Sequence, residues 1–260
     1  MIFLVAVALL ATIGKASAQH TLAITGGAGM TTSRLYPAQE TRPIWGVATG
    51  GIQWRYYTDE RFVGGIGADL EYMQRGFSYS PDAYRHEDEK DYNYYTRKVN
   101  SLVLPMVWQP HFYLFKNHLR IYLEAGITFT LNMSATYTNE LTNKSDRYNF
   151  KVVRDNRFEY GLAGGGGIDV LVRQIEFGVR VRYYFGYSDL MRNRNKYYDN
   201  ATDGLENPFR LTPLRSPIDN INVSVTLAYR LSKDGFKEWT YKPKKMSRTR
   251  DFSFQQSKRK

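Results

Sequence analysis

From Pro217 to Leu231 the chain places Ile221, Val223, Val225, Leu227, Tyr229 and Leu231 on one parity, and Asn222, Ser224, Thr226, Ala228 and Arg230 on the other. A two-residue period is that of a β-strand whose two faces meet different surroundings. Ile175–Gly186 repeats it, with Ile175, Phe177, Val179, Val181, Tyr183 and Phe185 against Glu176, Gly178, Arg180, Arg182 and Tyr184. Leu119–Ala135 does so again, with Ile121, Leu123, Ala125, Ile127, Phe129, Leu131 and Met133 against Arg120, Tyr122, Glu124, Thr128, Thr130 and Asn132. Five further segments carry a weaker form: 21–35, 44–57, Phe62–Phe77, 94–114 and Phe158–Val172. Four of them are diluted by glycines, including the run Gly164 to Gly167, which normally weakens a strand or marks a bend. Segment 94–114 contains Pro105 and Pro110, which cannot donate to a ladder; a bulge near Pro105 or a strand end before Pro110 would accommodate them.

The connections alternate in length. Thr58–Arg61, Phe115–His118 and Arg173–Gln174 are short, whereas 36–43, 78–93, 136–155 and 188–216 are long. Tight turns at one rim and long loops at the other predict an all-β fold: an eight-stranded antiparallel up-and-down transmembrane β-barrel. No segment after the leader has the roughly 20 consecutive apolar residues of a membrane helix, and a closed barrel is the other way to satisfy every backbone group in hydrocarbon. Trp54, Tyr56, Phe62, Phe112, Tyr113 and Tyr229 fall near the short-turn rim, and Trp45, Tyr94, Tyr95, Phe158, Tyr160 and Tyr187 near the long-loop rim. Two such bands predict the aromatic girdles of a membrane barrel. A soluble barrel or sandwich would instead turn the apolar rows inward.

With the apolar rows facing lipid, the polar rows enclose Arg55, Asp69, Glu71, Arg120, Glu124, Glu159, Asp169, Glu176, Arg180, Arg182 and Arg230. Buried charges are very costly unless paired, and eight strands leave an interior just wide enough for side chains to fill. These residues therefore predict a packed polar lumen in place of an open channel.

Composition changes this picture at the two ends. Met1–Gly14 is almost purely apolar, and Ala16-Ser17-Ala18 supplies small residues at cleavage positions, so residues 1–18 read as a secretory signal peptide. No Lys or Arg precedes the apolar run, which departs from the usual leader. The formal charge of +11 is concentrated in residues 232–260, where ten Lys/Arg stand against three Asp/Glu. The barrel, residues 19–231, carries only about +3, so overall basicity is no argument for nucleic acid, and none is expected as a partner. The tail interleaves Lys237, Trp239, Tyr241, Lys242, Lys244, Lys245, Arg248, Arg250, Phe252 and Phe254. An even number of strands puts both barrel ends at the short-turn rim, so this C-terminal basic extension is expected in the periplasm. There it would be a solvated tail, or would dock on an acidic protein surface or on the phosphate headgroups of the inner leaflet.

Ile24-Thr25-Gly26-Gly27-Ala28-Gly29-Met30, Asp69-Leu70-Glu71-Tyr72-Met73-Gln74-Arg75-Gly76-Phe77, Leu102-Val103-Leu104-Pro105-Met106 and Tyr122-Leu123-Glu124-Ala125-Gly126 occur in that order. In order and spacing they resemble the PorT-like outer-membrane β-barrel family of Bacteroidota, over roughly residues 21–231. The resemblance implies an OmpA/OmpX-like eight-stranded barrel in the bacterial outer membrane. Some such proteins are associated with type IX secretion or outer-membrane assembly, which implies an accessory part in an envelope complex. It transfers no catalytic residue.

Chemistry finds little support in the residues. A hydrolase or acyltransferase needs a nucleophile beside an oriented base. Of His20, His86, His111 and His118, only His111 lies near a strand, and no Ser stands two positions from it. His86-Glu87-Asp88-Glu89 could recruit a cation through oxygen ligands, but Arg85, Lys90 and Asp91 beside it read as a solvated loop. The chain has no Cys, hence no thiolate metal site and no disulfide scaffold. No cofactor or metal is expected. The expected function is non-enzymatic: an accessory or scaffold subunit that meets outer-membrane lipid and lipopolysaccharide through its barrel, and other envelope proteins through long loops and tail. A lipid-modifying enzyme is the alternative, and a small solute pore a third.

Overall fold

The computed structural model describes residues 19–38, 41–57, 64–79, 95–115, 118–140, 142–150, 155–192 and 213–231. The leader, the His86–Glu89 loop, the middle of the last long connection and the basic tail lie outside the described residues.

Eight long strands form one continuous antiparallel meander. They are β1 (Gln19–Ser33), β3 (Ile44–Tyr57), β4 (Gly65–Tyr79), β5 (Tyr95–Gln109), β7 (Leu119–Asn139), β9 (Phe158–Val172), β10 (Ile175–Gly186) and β11 (Ile218–Arg230). Three short strands, β2 (Thr41–Arg42), β6 (His111–Leu114) and β8 (Lys144–Tyr148), extend it at the rims. Each long strand pairs with the next, and β11 returns to β1 from Thr21↔Arg230 to Ser33↔Ile218, so the sheet has closed on itself. Closure leaves the long strands without a free edge, as a lipid environment demands.

The alternation decides which face meets lipid. Val223, Val225, Leu227 and Tyr229 of β11, Phe177, Val179 and Val181 of β10, and Leu123, Ile127 and Phe129 of β7 all point outward and are exposed. Their neighbours of opposite parity are buried inside. Trp54, Tyr56, Phe112 and Tyr229 lie outward at the short-turn rim, and Trp45, Phe158, Tyr160 and Tyr187 at the long-loop rim. Two aromatics assigned to these bands belong elsewhere. Tyr95 stacks on Tyr137 at 5.3 Å inside the long-loop mouth, and Tyr113 packs edge-on against His111 at 5.1 Å. Each shares its parity with inward neighbours, Arg97 and Gln109 respectively, which proximity to a rim does not reveal.

Irregularities fall at identifiable residues. Gly29↔Val47 is followed by Met30↔Trp45, so Gly46 is an extra residue. Its φ of +70° is the left-handed conformation that a glycine-type bulge requires. This bulge turns Trp45 outward even though it shares odd parity with the inward Val47 and Thr49. In β7, Asn100↔Ser134 and Ser101↔Asn132 leave Met133 as the extra residue, so above it Ala135 and Tyr137 point inward. Pro110 ends β5, and β6 resumes the same register on β7. Pro105 needs no bulge of its own: the β4–β5 ladder is interrupted between Ala68↔Met106 and Glu71↔Val103, opposite it.

The glycine run of β9 is unbroken strand. Gly165 and Gly167 face inward opposite Arg182 and Arg180. A Cβ on Gly167 would lie 2.5 Å from the Tyr122 hydroxyl and 2.6 Å from the Val179 carbonyl oxygen, so these glycines clear space for large lumen side chains.

The connection expected over 136–155 is shorter than the spacing suggests. β7 continues to Asn139, and β8 folds back on it from Ala135↔Tyr148 to Asn139↔Lys144. At about 3.3 Å per residue, 21-residue β7 is about 70 Å long. Even with a tilt of about 45°, it overreaches an apolar band of about 25 Å. The barrel therefore continues beyond the membrane at its long-loop end.

Candidate functional site: the lumen and its long-loop mouth

Arg55, Asp69, Glu71, Arg120, Glu124, Glu159, Asp169, Glu176, Arg180, Arg182 and Arg230 are all buried inside the barrel. They gather in layers because strand tilt brings residues from distant strands to one height. In the middle layer Arg182 donates to both Glu124 oxygens at 2.5 and 2.7 Å, to Asp69 at 2.8 Å and to Glu71 at 3.1 Å. Arg180 donates to Glu71 at 2.7 Å and to Asp69 at 3.3 Å. Arg55 pairs with Asp69 through both terminal nitrogens, and the Tyr184 hydroxyl donates to Glu71. Three arginines therefore meet three carboxylates. Toward the short-turn rim, Arg120 bridges Asp169 and Glu176, both at 2.5 Å, and Arg230 donates to Glu176 at 2.6 Å. That layer is also balanced, two against two.

Toward the long-loop rim, Arg75 donates to Glu159 at 2.9 Å, and Asn132 donates to the other Glu159 oxygen at 2.6 Å. Arg97 pairs with Asp155 at 3.2 Å, an acid that also accepts from Tyr148 at 2.9 Å. Arg75, Arg97 and Asp155 thus join the buried charges beyond those expected from the alternation. Arg75 shares the parity of Asp69 and Glu71 on β4, and that signal was available in the sequence. Asp155 lies outside the long strands and is held inward by its bridge to Met191 and by the Asn156–Leu190 backbone bond, contacts that no strand parity predicts.

Above these layers the mouth is closed by an apolar cluster. Phe77, Tyr79, Val99, Ala135 and Tyr137 from the strand ends surround Leu190, Met191 and Ile218. Backbone bonds hold the last connection there: Asn156 N–H donates to the Leu190 carbonyl at 2.8 Å, and Leu190 N–H to the Ser216 carbonyl at 3.1 Å. Leu214 N–H donates to the Tyr36 carbonyl at 2.6 Å, tying the same segment to the β1 side. The two ends of the connection expected as a long loop over 188–216 are thus folded into the barrel as a lid, because Leu190 and Met191 find apolar partners there.

Two lumen voids are small. One of about 10 Å³ lies beside Met73, Arg75 and Glu159. One of about 20 Å³ lies among Thr21, Gln53, Arg120 and Glu176. Each is on the scale of a single water. His111 stands at the short-turn mouth, edge-on to Tyr57 at 5.2 Å, with Nδ1 3.2 Å from the Gln109 carbonyl oxygen. Those neighbours supply neither a nucleophile nor an orienting carboxylate. Among the described residues no cluster of three or more His, Asp or Glu side chains has metal-ligating geometry. The tail residues Lys237, Trp239, Tyr241, Lys242, Lys244, Lys245, Arg248, Arg250, Phe252 and Phe254 lie outside the described residues.

The family model described as an outer membrane protein beta-barrel domain matches residues 16–192. Among solved structures, Neisserial surface protein A is 9% identical with a TM-score of 0.40, over 82% of this chain and 98% of its own. OprG from Pseudomonas aeruginosa is 13% identical with a TM-score of 0.37, over 83% and 97%. Ail of Yersinia pestis, solved with the heparin analogue sucrose octasulfate, is 11% identical with a TM-score of 0.34, over 82% and 98%. No curated protein matches the sequence.

Proposed function

Since this chain belongs to the outer membrane protein beta-barrel domain family, we propose that it is a non-enzymatic anchor in the bacterial outer membrane, acting as an accessory or scaffold subunit of an envelope complex. The observation that carries this reading is the filled lumen. Neutral ionic layers occupy the barrel from Arg230 to Arg75, and the Leu190–Met191 lid covers the mouth. Among the described residues the two lumen voids are each on the scale of one water, which favours the outer wall, loops and tail as working surfaces. In this reading the short-turn rim faces the periplasm and the long-loop rim faces outward. The basic aromatic tail then leaves Leu231 on the periplasmic side, suited to an acidic protein surface or anionic headgroups. A part in type IX secretion or in outer-membrane assembly is consistent with the PorT-like resemblance of the strand motifs.

Deleting residues 232–260 and extracting the protein from its native membrane in mild detergent tests this reading. Loss of co-purifying envelope proteins, with the barrel still inserted, is the expected result. An unchanged partner set would remove the tail from the proposal, and a partnerless full-length chain would remove the subunit role.

A further inference from the structure

The outer wall changes character just above the apolar belt on β5, β7 and β8. Lys98 of β5 is paired with Thr136 of β7, and Thr136 with Arg147 of β8, so the three side chains stand in one row on one face. All three are exposed. At about 4.8 Å per strand, the two cations are rooted about 10 Å apart, within reach of one phosphate or of two phosphates on one headgroup. Neither cation has an acidic partner among the described residues, unlike the paired arginines of the lumen. Asp146 pairs with Tyr137 and so belongs to the opposite face, while Glu140, the acid on the outer face just above the row, is engaged by the Ser78 and Thr96 hydroxyls.

The row depends on the Met133 bulge. An unbroken β7 would turn Thr136 inward with Asn132 and put Tyr137 outside. Beneath it lies the polar pair Asn100 and Ser134, and below that the wall is apolar: Leu104 and Met106 descend β5, and Met133 and Phe129 descend β7, all exposed. A ligand suited to this strip has acyl chains below and anionic groups above, at the height of a membrane headgroup.

We propose that Lys98 and Arg147, with the Thr136 hydroxyl between them, bind the phosphate groups of the phosphorylated glycolipid of the outer leaflet, the lipid A part of lipopolysaccharide. This rests on the long-loop rim facing outward, as in the reading above. A phospholipid headgroup would share the chemistry, but the outward rim of an outer-membrane barrel meets the glycolipid leaflet.

The full-length protein in detergent is titrated with phosphorylated lipid A, with the same lipid after phosphatase treatment, with anionic phospholipid, and with inorganic phosphate. Wild type should prefer phosphorylated lipid A. The pair Lys98→Gln and Arg147→Gln should weaken its binding about twenty- to thirtyfold, at about fivefold for each cation near a charged surface. The charge-keeping pair Lys98→Arg and Arg147→Lys should bind within about threefold of wild type, which separates charge from a folding defect. Equal binding of the dephosphorylated lipid, equal or tighter binding of phospholipid or inorganic phosphate, or an unaffected Gln pair would overturn the site. A Thr142→Cys variant, in a chain with no native cysteine, reports orientation separately. Labelling in intact cells by an impermeant maleimide supports an outward rim, so a failure in the lipid titration would then fall on the site alone. Labelling only after the envelope is broken would overturn the orientation, and this inference with it.

Discussion

Arg182 shows how much can hang on one side chain in a dry lumen. It is fully buried and serves Glu124, Asp69 and Glu71 together. Arg182→Met removes their shared cation while keeping volume, and stranding a buried charge typically costs about 3–5 kcal/mol. Urea unfolding in lipid vesicles should show a loss of that size. Adding Glu124→Gln should recover part of it, since one charge of each sign is then gone and contacting sites are not additive. Gly167 makes the complementary point. Gly167→Val should destabilise by about 1–3 kcal/mol through overpacking. Adding Tyr122→Phe should not restore stability, because the Val179 carbonyl oxygen still obstructs the new side chain. Of the lumen charges, which in the structure include Arg75, Arg97 and Asp155, eleven were legible from parity alone. The reason for the glycines opposite them was not, since that needs the register linking Gly165 to Arg182 and Gly167 to Arg180.

Among the elements, β7 carries most of what the sequence hid. Its lower part, from Arg120 to Asn132, alternates without fault and was readable. At Met133 the two-residue period slips, and Thr136, Thr138 and Asn139 look like loop because they are polar and out of phase. The structure treats them as strand, with β8 hydrogen-bonded alongside. Deletions test this arrangement. Removing Met133 takes out only the residue that lacks a partner, so the faces above and below keep their sense. Removing Ile127 turns Thr128, Thr130 and Asn132 toward lipid as far as the bulge, because a one-residue shift exchanges the faces. The Met133 deletion should still yield a heat-modifiable barrel on gels, and the Ile127 deletion should not. The lid was illegible for another reason: Leu190 and Met191 meet Phe77, Val99 and Tyr137, partners that no local pattern joins to them.

For the molecule as a whole, the outward face and the filled interior make separate predictions. Val225 stands mid-strand on the lipid side, opposite Val179 of β10. Val225→Arg should cost about 2–4 kcal/mol in bilayer-refolded protein, as a cation at the midplane does. The same change in a water-surrounded barrel would be nearly neutral, so a negligible effect would show the outer face meeting water in place of lipid. Planar bilayers holding purified protein should show no steady conductance, and a stable open level would require the ionic layers to part.

Closure of the sheet also bears on how the molecule is made. Glu71 on β4 and Glu124 on β7 are held by Arg180 and Arg182 of β10, which arrive, for Glu71, more than a hundred residues later, whereas Asp69 already has Arg55 beside it on β3. A nascent sheet lacking its last strands would carry bare carboxylates on the wall destined to be enclosed, and hydrocarbon would reject it. Insertion should therefore wait for the final hairpin and proceed as one concerted event. Asp69→Asn should slow that event in vesicle refolding while leaving the earlier, surface-adsorbed stage at its normal rate.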